Sequence, residues 1–482
     1  MNGRTKSLRR GTMAALVALV VPGGAMEVAG QKVGGGQGTT VLTLREALDR
    51  ATRFNLSYRQ ALDQLELQSH PRRQWWAPFL PTVDLFYSTG YNVDRRPSYV
   101  GLDGAPIMVP EPQTNRRSSS VHQAQMRFTV LNQGQRFHEL RTTRAQVRQS
   151  RVAAERQLNA TLADIQRRYQ AAQQAQARLA VEEALLADRQ VEYGEQQKRF
   201  ELLAIERSAL LGAQLDLEGQ RVAVRTARGE LDKALLALRT AIGDPGLGAM
   251  EIEPQPPAPF DPSSLDLADL VSRARRQSPG VATAEAEVAV QQANLKSQKA
   301  WRWPTISLNT TVGGSTNGEK RTELFGFDTD TDRFRIDANV GLSFTLPIAD
   351  VLPVFDGFQK SYNVASASMT LRNAEAELQQ TMLQLEETIR SRFVDLETAW
   401  ANVQQQRKAH AVAAERLSLV REQYLLATVS IDALRTAIRD EATARRSEVD
   451  RRFELATALL ALHEEVGIVA QEAGIAPPTE GN

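Results

Sequence analysis

The chain has 482 residues with 58 basic and 57 acidic side chains, and its net charge of +1 gives no bulk electrostatic case for nucleic acid or an acidic polymer as partner. Cysteine is absent, which excludes disulfides, thiolate metal sites, thiol nucleophiles and a lipid-modified cysteine together.

The first residues read as an export signal over 1–25. Arg4, Lys6, Arg9 and Arg10 precede an apolar run from Met13 to Val21, and Gly23-Gly24-Ala25 supplies small residues for cleavage. That run is well short of the ~18 residues a membrane-spanning helix needs, and no later stretch is longer, so any insertion into a bilayer must use strands. Residues 26–41 are polar and glycine-rich and are expected to lack fixed structure.

Thr43 with Glu46 three residues on forms a capping-box signal, predicting a helix over about 44–75 with a turn near Asn55 to Ser57. Pro78 and Pro81 end it. From Thr82 the period becomes two: Val83, Leu85, Tyr87 and Val93 alternate with Asp84, Phe86, Ser88 and Asn92, predicting a strand over about 82–93. A polar loop with Arg95, Arg96, Pro97, Pro106, Pro110 and Pro112 follows, then a second strand over about 121–130. Helices are expected over about 140–202 and 206–242. The first holds some sixty proline-free residues, a rod of ~90 Å that needs neighbours, and its many small residues favour slim packing of coiled-coil type. Residues 244–263, with Pro254, Pro256, Pro257 and Pro259, read as an extended linker on the surface.

The unit then returns. Leu44 and Leu267, and likewise Pro81 and Pro304, lie 223 residues apart, and Leu235 and Leu459 lie 224 apart, so residues 42–243 and 264–467 are two copies of one design. The second copy predicts strands over about 305–314 and 334–346 and helices over about 361–426 and 431–466, followed by a tail, 468–482. Each copy supplies one hairpin. Four strands cannot close a barrel, which needs about eight, so strands inserted in a membrane must be shared among several chains. A soluble sheet packed on a helix would also alternate. The small, uncharged residues Ser88, Gly90, Asn92, Ser307, Asn309 and Gly313 on one face favour a watery lumen, with Val83, Leu85, Ile306, Leu308, Val340 and Leu342 facing lipid on the other.

In their order, twice over, these landmarks resemble the outer-membrane efflux protein family, the TolC-like channels, over about Leu42 to Gly467. The resemblance rests on Leu42-Thr43-Leu44 with Glu46-Ala47-Leu48, on Leu80-Pro81-Thr82 before a strand, on Leu131-Asn132-Gln133-Gly134-Gln135-Arg136 after a hairpin, and on Ile242-Gly243. It implies a mainly α, α+β fold of long helical hairpins with one β-hairpin per copy. It also implies a homotrimer with a shared twelve-stranded outer-membrane β-barrel and a periplasmic α-helical tunnel. The function implied is passage of solutes outward together with an inner-membrane pump and a periplasmic adaptor protein, with outer-membrane lipid around the barrel. No catalytic residue, cofactor or metal belongs to that reading.

By the same resemblance the hairpin tips, Leu203, Ala204, Ile205 and Glu206 with Ala427, Thr428, Val429 and Ser430, are the expected adaptor contacts. Leu203 and Ala427 stand where the family has glycine, so a left-handed turn there is strained and the tip is expected to differ in shape. Asp432 is the carboxylate nearest the family's aperture, though as a residue it reads first as a helix-start acid favoured by the helix dipole. His463-Glu464-Glu465 begins like a zinc-protease helix, but Gly467 occupies the second histidine's place, leaving His463 as a surface residue. Trp75-Trp76 and Trp301-Arg302-Trp303 are expected to anchor the helix-to-strand junctions at the membrane interface. A structural or adhesive envelope protein, using the rods as spacers, is the alternative function.

Overall fold

The computed structural model describes residues 40–73, 80–100, 106–255, 257–300, 303–321, 333–345, 357–426 and 428–476. The export-signal segment therefore lies outside the described residues, as do Trp75, Trp76, Trp301 and Ala427. In chain order the elements are β1 (Thr40–Leu42), α1 (Leu44–Phe54), α2 (Leu56–Arg73), β2 (Thr82–Val100), β3 (Pro106–Asn132), α3 (Gln135–Glu201), α4 (Arg207–Ile242) and β4 (Met250–Ile252). The second copy runs α5 (Leu267–Gln277), α6 (Pro279–Lys299), β5 (Thr305–Arg321), β6 (Arg333–Thr345), α7 (Gly357–Leu425) and α8 (Ile431–Val466), and α9 (Val469–Glu472) follows.

The first copy starts where its capping signal says. The Thr43 hydroxyl accepts from the Glu46 N–H and the Glu46 carboxylate accepts from the Thr43 N–H, so two orphan donors of α1 are satisfied at once. Its copy, α5, is capped by the Asp266 carboxylate on the Ala268 N–H. The turn expected near Asn55 to Ser57 divides this stretch into α1 and α2: Asn55 leaves the helical region and is pinned by its side-chain amide donating to the Ala241 carbonyl at 2.8 Å.

The rods have matching cores. Ile165 and Ile389, Leu238 and Leu462, and Ile242 and Val466 are pairs 224 residues apart, each buried at the equivalent place in one of two apolar clusters. Fully burying such side chains stabilises by roughly 1.5–3 kcal/mol each relative to exposure. The 67 residues of α3 make a rod of ~100 Å, with α4 packed along the part near the tip and α2 and α6 along the rest.

Three segments depart from the sequence expectation. Residues 40 and 41, placed in a structureless start, form β1, which pairs in parallel with β4 inside the stretch expected to be a surface linker. The linker is held because Leu247, Met250 and Ile252 are buried in the first core, and the Tyr169 hydroxyl donates to the Leu42 carbonyl beside them. The expected tail likewise turns back as α9, with Val469 buried in the same cluster. Lastly, β2 and β3 run through the predicted polar loop, pairing as far as Val100 with Pro106. The prolines did not prevent this because the ladder shifts register between Arg96 and Ser98, so Pro97, Pro110 and Pro112 fall at the irregularity, where no ladder hydrogen bond is demanded of them.

Each long helical hairpin closes on a left-handed glycine: Gly243 (φ 74°) after α4 and Gly467 (φ 84°) after α8. A Cβ at Gly467 would collide with the Gln277 carbonyl and the Pro279 ring, whereas one at Gly243 would sit 3.0 Å from the Phe54 carbonyl oxygen. Gly467→Ala should therefore cost more than the ~1–2 kcal/mol of a left-handed residue alone, and Gly243→Ala about that amount. Unfolding midpoints of the two variants in detergent check the ranking; equal losses would show that the Gln277 contact relaxes freely.

Candidate functional site

The four-stranded sheet has the order β2-β3-β5-β6, all antiparallel, so one copy's hairpin is joined edge to edge to the other's. Register decides what its faces are made of. Val83 pairs with Met126, which pairs with Thr310, which pairs with Val340. Leu85, Ala124, Val312 and Ala338 form the next row, and Phe128, Leu308 and Leu342 the row before. Most apolar residues of all four strands thus lie on one face; Gln125, Thr311 and Asn339 exemplify the other, which carries Phe86 and Val121 as its apolar exceptions. A one-residue slip in any ladder would have scrambled this.

The described strands of the sheet pack on one another rather than on a helix. Val83, Leu85, Val340 and Leu342 are accordingly exposed, Leu85 by 84%, while Ile306 and Leu308 are half-buried between neighbouring strands. An uncovered apolar sheet face of this breadth is unfavourable in water and suited to hydrocarbon. Among the described residues no helix is long and apolar enough to cross a membrane. Trp303 is exposed just before β5, where an interfacial anchor was expected.

The tips lie at the opposite end of the rods. After α3 the Leu203 backbone is left-handed at φ 55°, and Ala204 N–H reaches back to the Arg199 carbonyl at 2.8 Å, closing the turn in the manner of a glycine-terminated helix. Leu203 thus takes up the left-handed turn itself, with its strain of ~1–2 kcal/mol. Leu203 is 90% exposed, and Ala204 and Glu206 are exposed beside half-buried Ile205. At the second tip Thr428 N–H bonds the Gln423 carbonyl in the same pattern, and the Ser430 hydroxyl caps α8 on the Ala433 N–H. Val429 is half-buried against Tyr424, Leu434 and Ile438, so the exposed apolar residues there are Leu425 and Leu426.

Behind the tips lies a polar network that sequence reasoning missed. Arg189 and Glu192 of α3 pair at 2.7 Å with side chains 7% and 6% exposed, and Arg435 of α8 reaches the same Glu192 at 2.7 Å. Burial pulls the Arg435 pKa down, but the Glu192 hydrogen bond and the charges of Glu192, Asp216 and Asp432 outweigh it, so the net shift is upward. Asp432 is the outer member, 3.9 Å from Arg435 and exposed in the first turn of α8. The Tyr424 hydroxyl accepts from Gln196 and Arg199 at 3.0 and 2.7 Å. Further pairs, Glu182 with Arg446, Asp450 with Arg178 and Glu464 with Arg167, continue down the α3–α8 seam. The two copies are thus joined by charge, and the residue types alone, in partners 243 to 297 residues apart, gave no signal of which would meet. His463 is half-buried rather than on the surface, and burial pushes its pKa down. Among the described residues no group of His, Asp and Glu is placed to hold a metal ion.

A sheet with one apolar uncovered face, set on paired rods of duplicated design, is the protomer fold of a TolC-like channel. Residues 270–467 match the family model described as outer membrane efflux protein. Protein CyaE of Bordetella pertussis is 26% identical over 363 residues, covering 75% of this chain and 70% of its own length. Among solved structures, the CmeC outer membrane channel of Campylobacter jejuni (15% identity, TM-score 0.66) covers 91% of this chain and 87% of its own. The MtrE outer membrane channel of Neisseria gonorrhoeae (17% identity, TM-score 0.63) covers 88% of each. The protein is an outer-membrane channel component of an efflux or secretion system, with its helical part in the periplasm.

The face assignment has a direct consequence. Leu308→Arg should cost ~2–4 kcal/mol and impair insertion, as a cation on the lipid face does, whereas Thr311→Arg on the other face should insert normally and alter conductance. Membrane fractionation and single-channel recording separate the two; similar behaviour of both variants would contradict the assignment.

Proposed function

We propose that three copies of this chain close one twelve-stranded barrel and one helical tunnel, through which an inner-membrane pump and a periplasmic adaptor pass solutes outward, with no catalytic step. The observation that carries this reading is the sheet: four strands in register, an uncovered apolar face, and two open edges, β2 and β6. Four strands are half of what the smallest barrels need, and an unpaired edge in hydrocarbon costs several kcal/mol per backbone group.

The rods support the same assembly. Tyr362, Met369, Leu383, Val394, Val412 and Leu419 are exposed along α7, and their spacings of 7, 14, 11, 18 and 7 residues keep them on one helical face. Leu211, Leu215, Val222 and Leu236 are exposed along α4. Within one chain α4 packs on α3, and α7 on α8, so these two outer helices are left with apolar stripes that neighbouring copies can cover.

The strained, exposed Leu203 with Leu425 and Leu426 makes the tips the docking surface for the adaptor, since backbone strain held in the open is retained where a partner uses it. Leu203→Asp combined with Leu426→Asp should leave an SDS-resistant, heat-modifiable trimer at normal levels in the outer membrane and abolish export. Unchanged export would place docking elsewhere. Recovery of the native protein as a soluble periplasmic monomer would instead favour a structural spacer.

A further inference from the structure

His410 lies on α7 facing α8, its side chain about three-quarters buried. Its Nδ1 is 2.5 Å from Glu448 Oε2 and its Nε2 is 3.1 Å from Glu441 Oε1. Those carboxylates lie two turns apart on α8, so the ring is held between them. An ionised carboxylate only accepts hydrogen bonds, and a neutral imidazole donates from one nitrogen alone. Both contacts can be hydrogen bonds only when the ring carries two protons. In the neutral form one carboxylate faces a nitrogen lone pair, and two acceptors are left in repulsive contact within a half-buried seam.

The surroundings do not supply a substitute donor. Arg452 bonds Glu448 from the far side on α8. Gln406, one turn before His410 on α7, donates to the Ala444 carbonyl, and Arg416 is engaged with Asp440 nearer the tip. Arg407 and Lys408 on α7 are exposed. The duplication supplies an internal control. The positions 224 residues earlier are Leu186, Leu217 and Val224, an apolar trio at the same level of the α3–α4 hairpin. At that level the first copy thus has no ionisable trio; its nearest polar contact across the seam is Gln220 donating to the Glu182 carboxylate at 2.7 Å, one turn away.

We infer that His410 is a proton-controlled clamp on the α7–α8 hairpin: charged, it bridges Glu441 and Glu448, and neutral, it releases one of them and loosens that hairpin while the α3–α4 hairpin is unaffected. The clamp's contribution is therefore present while the ring holds both protons and lost as pH rises and one of them leaves. His138 and His463 act with the opposite sign, because burial depresses their pKa values and the stability they lend is lost as pH falls.

The test uses the full chain in detergent at pH 6.0 and 8.0, comparing wild type with His410→Gln, His410→Leu and Glu441→Gln. Hydrogen exchange is followed in segments 402–414 and 438–452, with segments 178–190 and 213–228 of the first copy as internal reference for the intrinsic pH dependence. Relative to that reference, the wild-type α7–α8 segments should exchange about tenfold faster at pH 8.0 than at 6.0, the factor expected for loss of one charge-assisted hydrogen bond. The histidine variants should show no such ratio, and Glu441→Gln, which keeps the ring and needs only one donor, should show a reduced one. His410→Leu, which restores the first copy's residue, guards against a variant that fails to fold. A wild-type ratio of one, or the same ratio in wild type and variants, overturns the clamp.

Discussion

Everything else in the molecule is arranged around a sheet that one chain cannot finish. Among the described strands none pairs with the outer side of β2 or of β6, and the face they frame is largely apolar in all four strands. In water that face would be driven to find cover; in hydrocarbon the edges must be closed instead, because no solvent there can satisfy them. Register locks the two demands together. The ladder that puts Val83, Met126, Thr310 and Val340 in one row also fixes which neighbours an incoming strand must match.

The rods solve a different problem with the same duplication. Helices of 67 and 69 residues cannot be stabilised by propensity alone, and each draws its support from a short core near the middle, where Ile165 or Ile389 is wholly buried. Away from those cores the contacts turn mostly polar, with a small apolar cluster around Tyr424, Leu434 and Ile438 near the tip. The α3–α8 seam is held by exposed or half-exposed ion pairs worth ~0–1 kcal/mol apiece, ending at the buried Arg189–Glu192–Arg435 group. A seam of this kind resists water poorly but can separate without leaving a large apolar surface exposed. Breaking only one partner of the buried group would be far costlier, since it strands a charge away from solvent.

Much of this was legible in the sequence because the period of hydrophobicity, the proline stops and the repeat are local or regular signals. Thr43 with Glu46, the strand alternation from Thr82 and the Ile242-Gly243 close each state their element within a few residues. What was missed depends on partners distant in the chain. The length of β2 and β3 was hidden by prolines that a bulge accommodates, and β1 and β4 are three residues long, gaining definition from each other, from Tyr169 and from burial of Leu42, Met250 and Ile252 in the first core. At the site, the apolar strand faces were readable one strand at a time, and Leu203 was readable as a strained turn residue. The network of Glu192, Arg435 and Tyr424 was not, since helical side chains give no sign of partners 228 and 243 residues away.

The central claim is that β2 and β6 are closed by other copies of this chain, and a chain without cysteine lets that be tested cleanly. With one cysteine fixed at Leu85 on β2 and a second scanned through 336–344 on β6, mild oxidation in the membrane should yield, at matched positions, a covalent ladder that stops at three chains. A ladder that continues past three, or monomer alone at every position, would contradict the shared barrel.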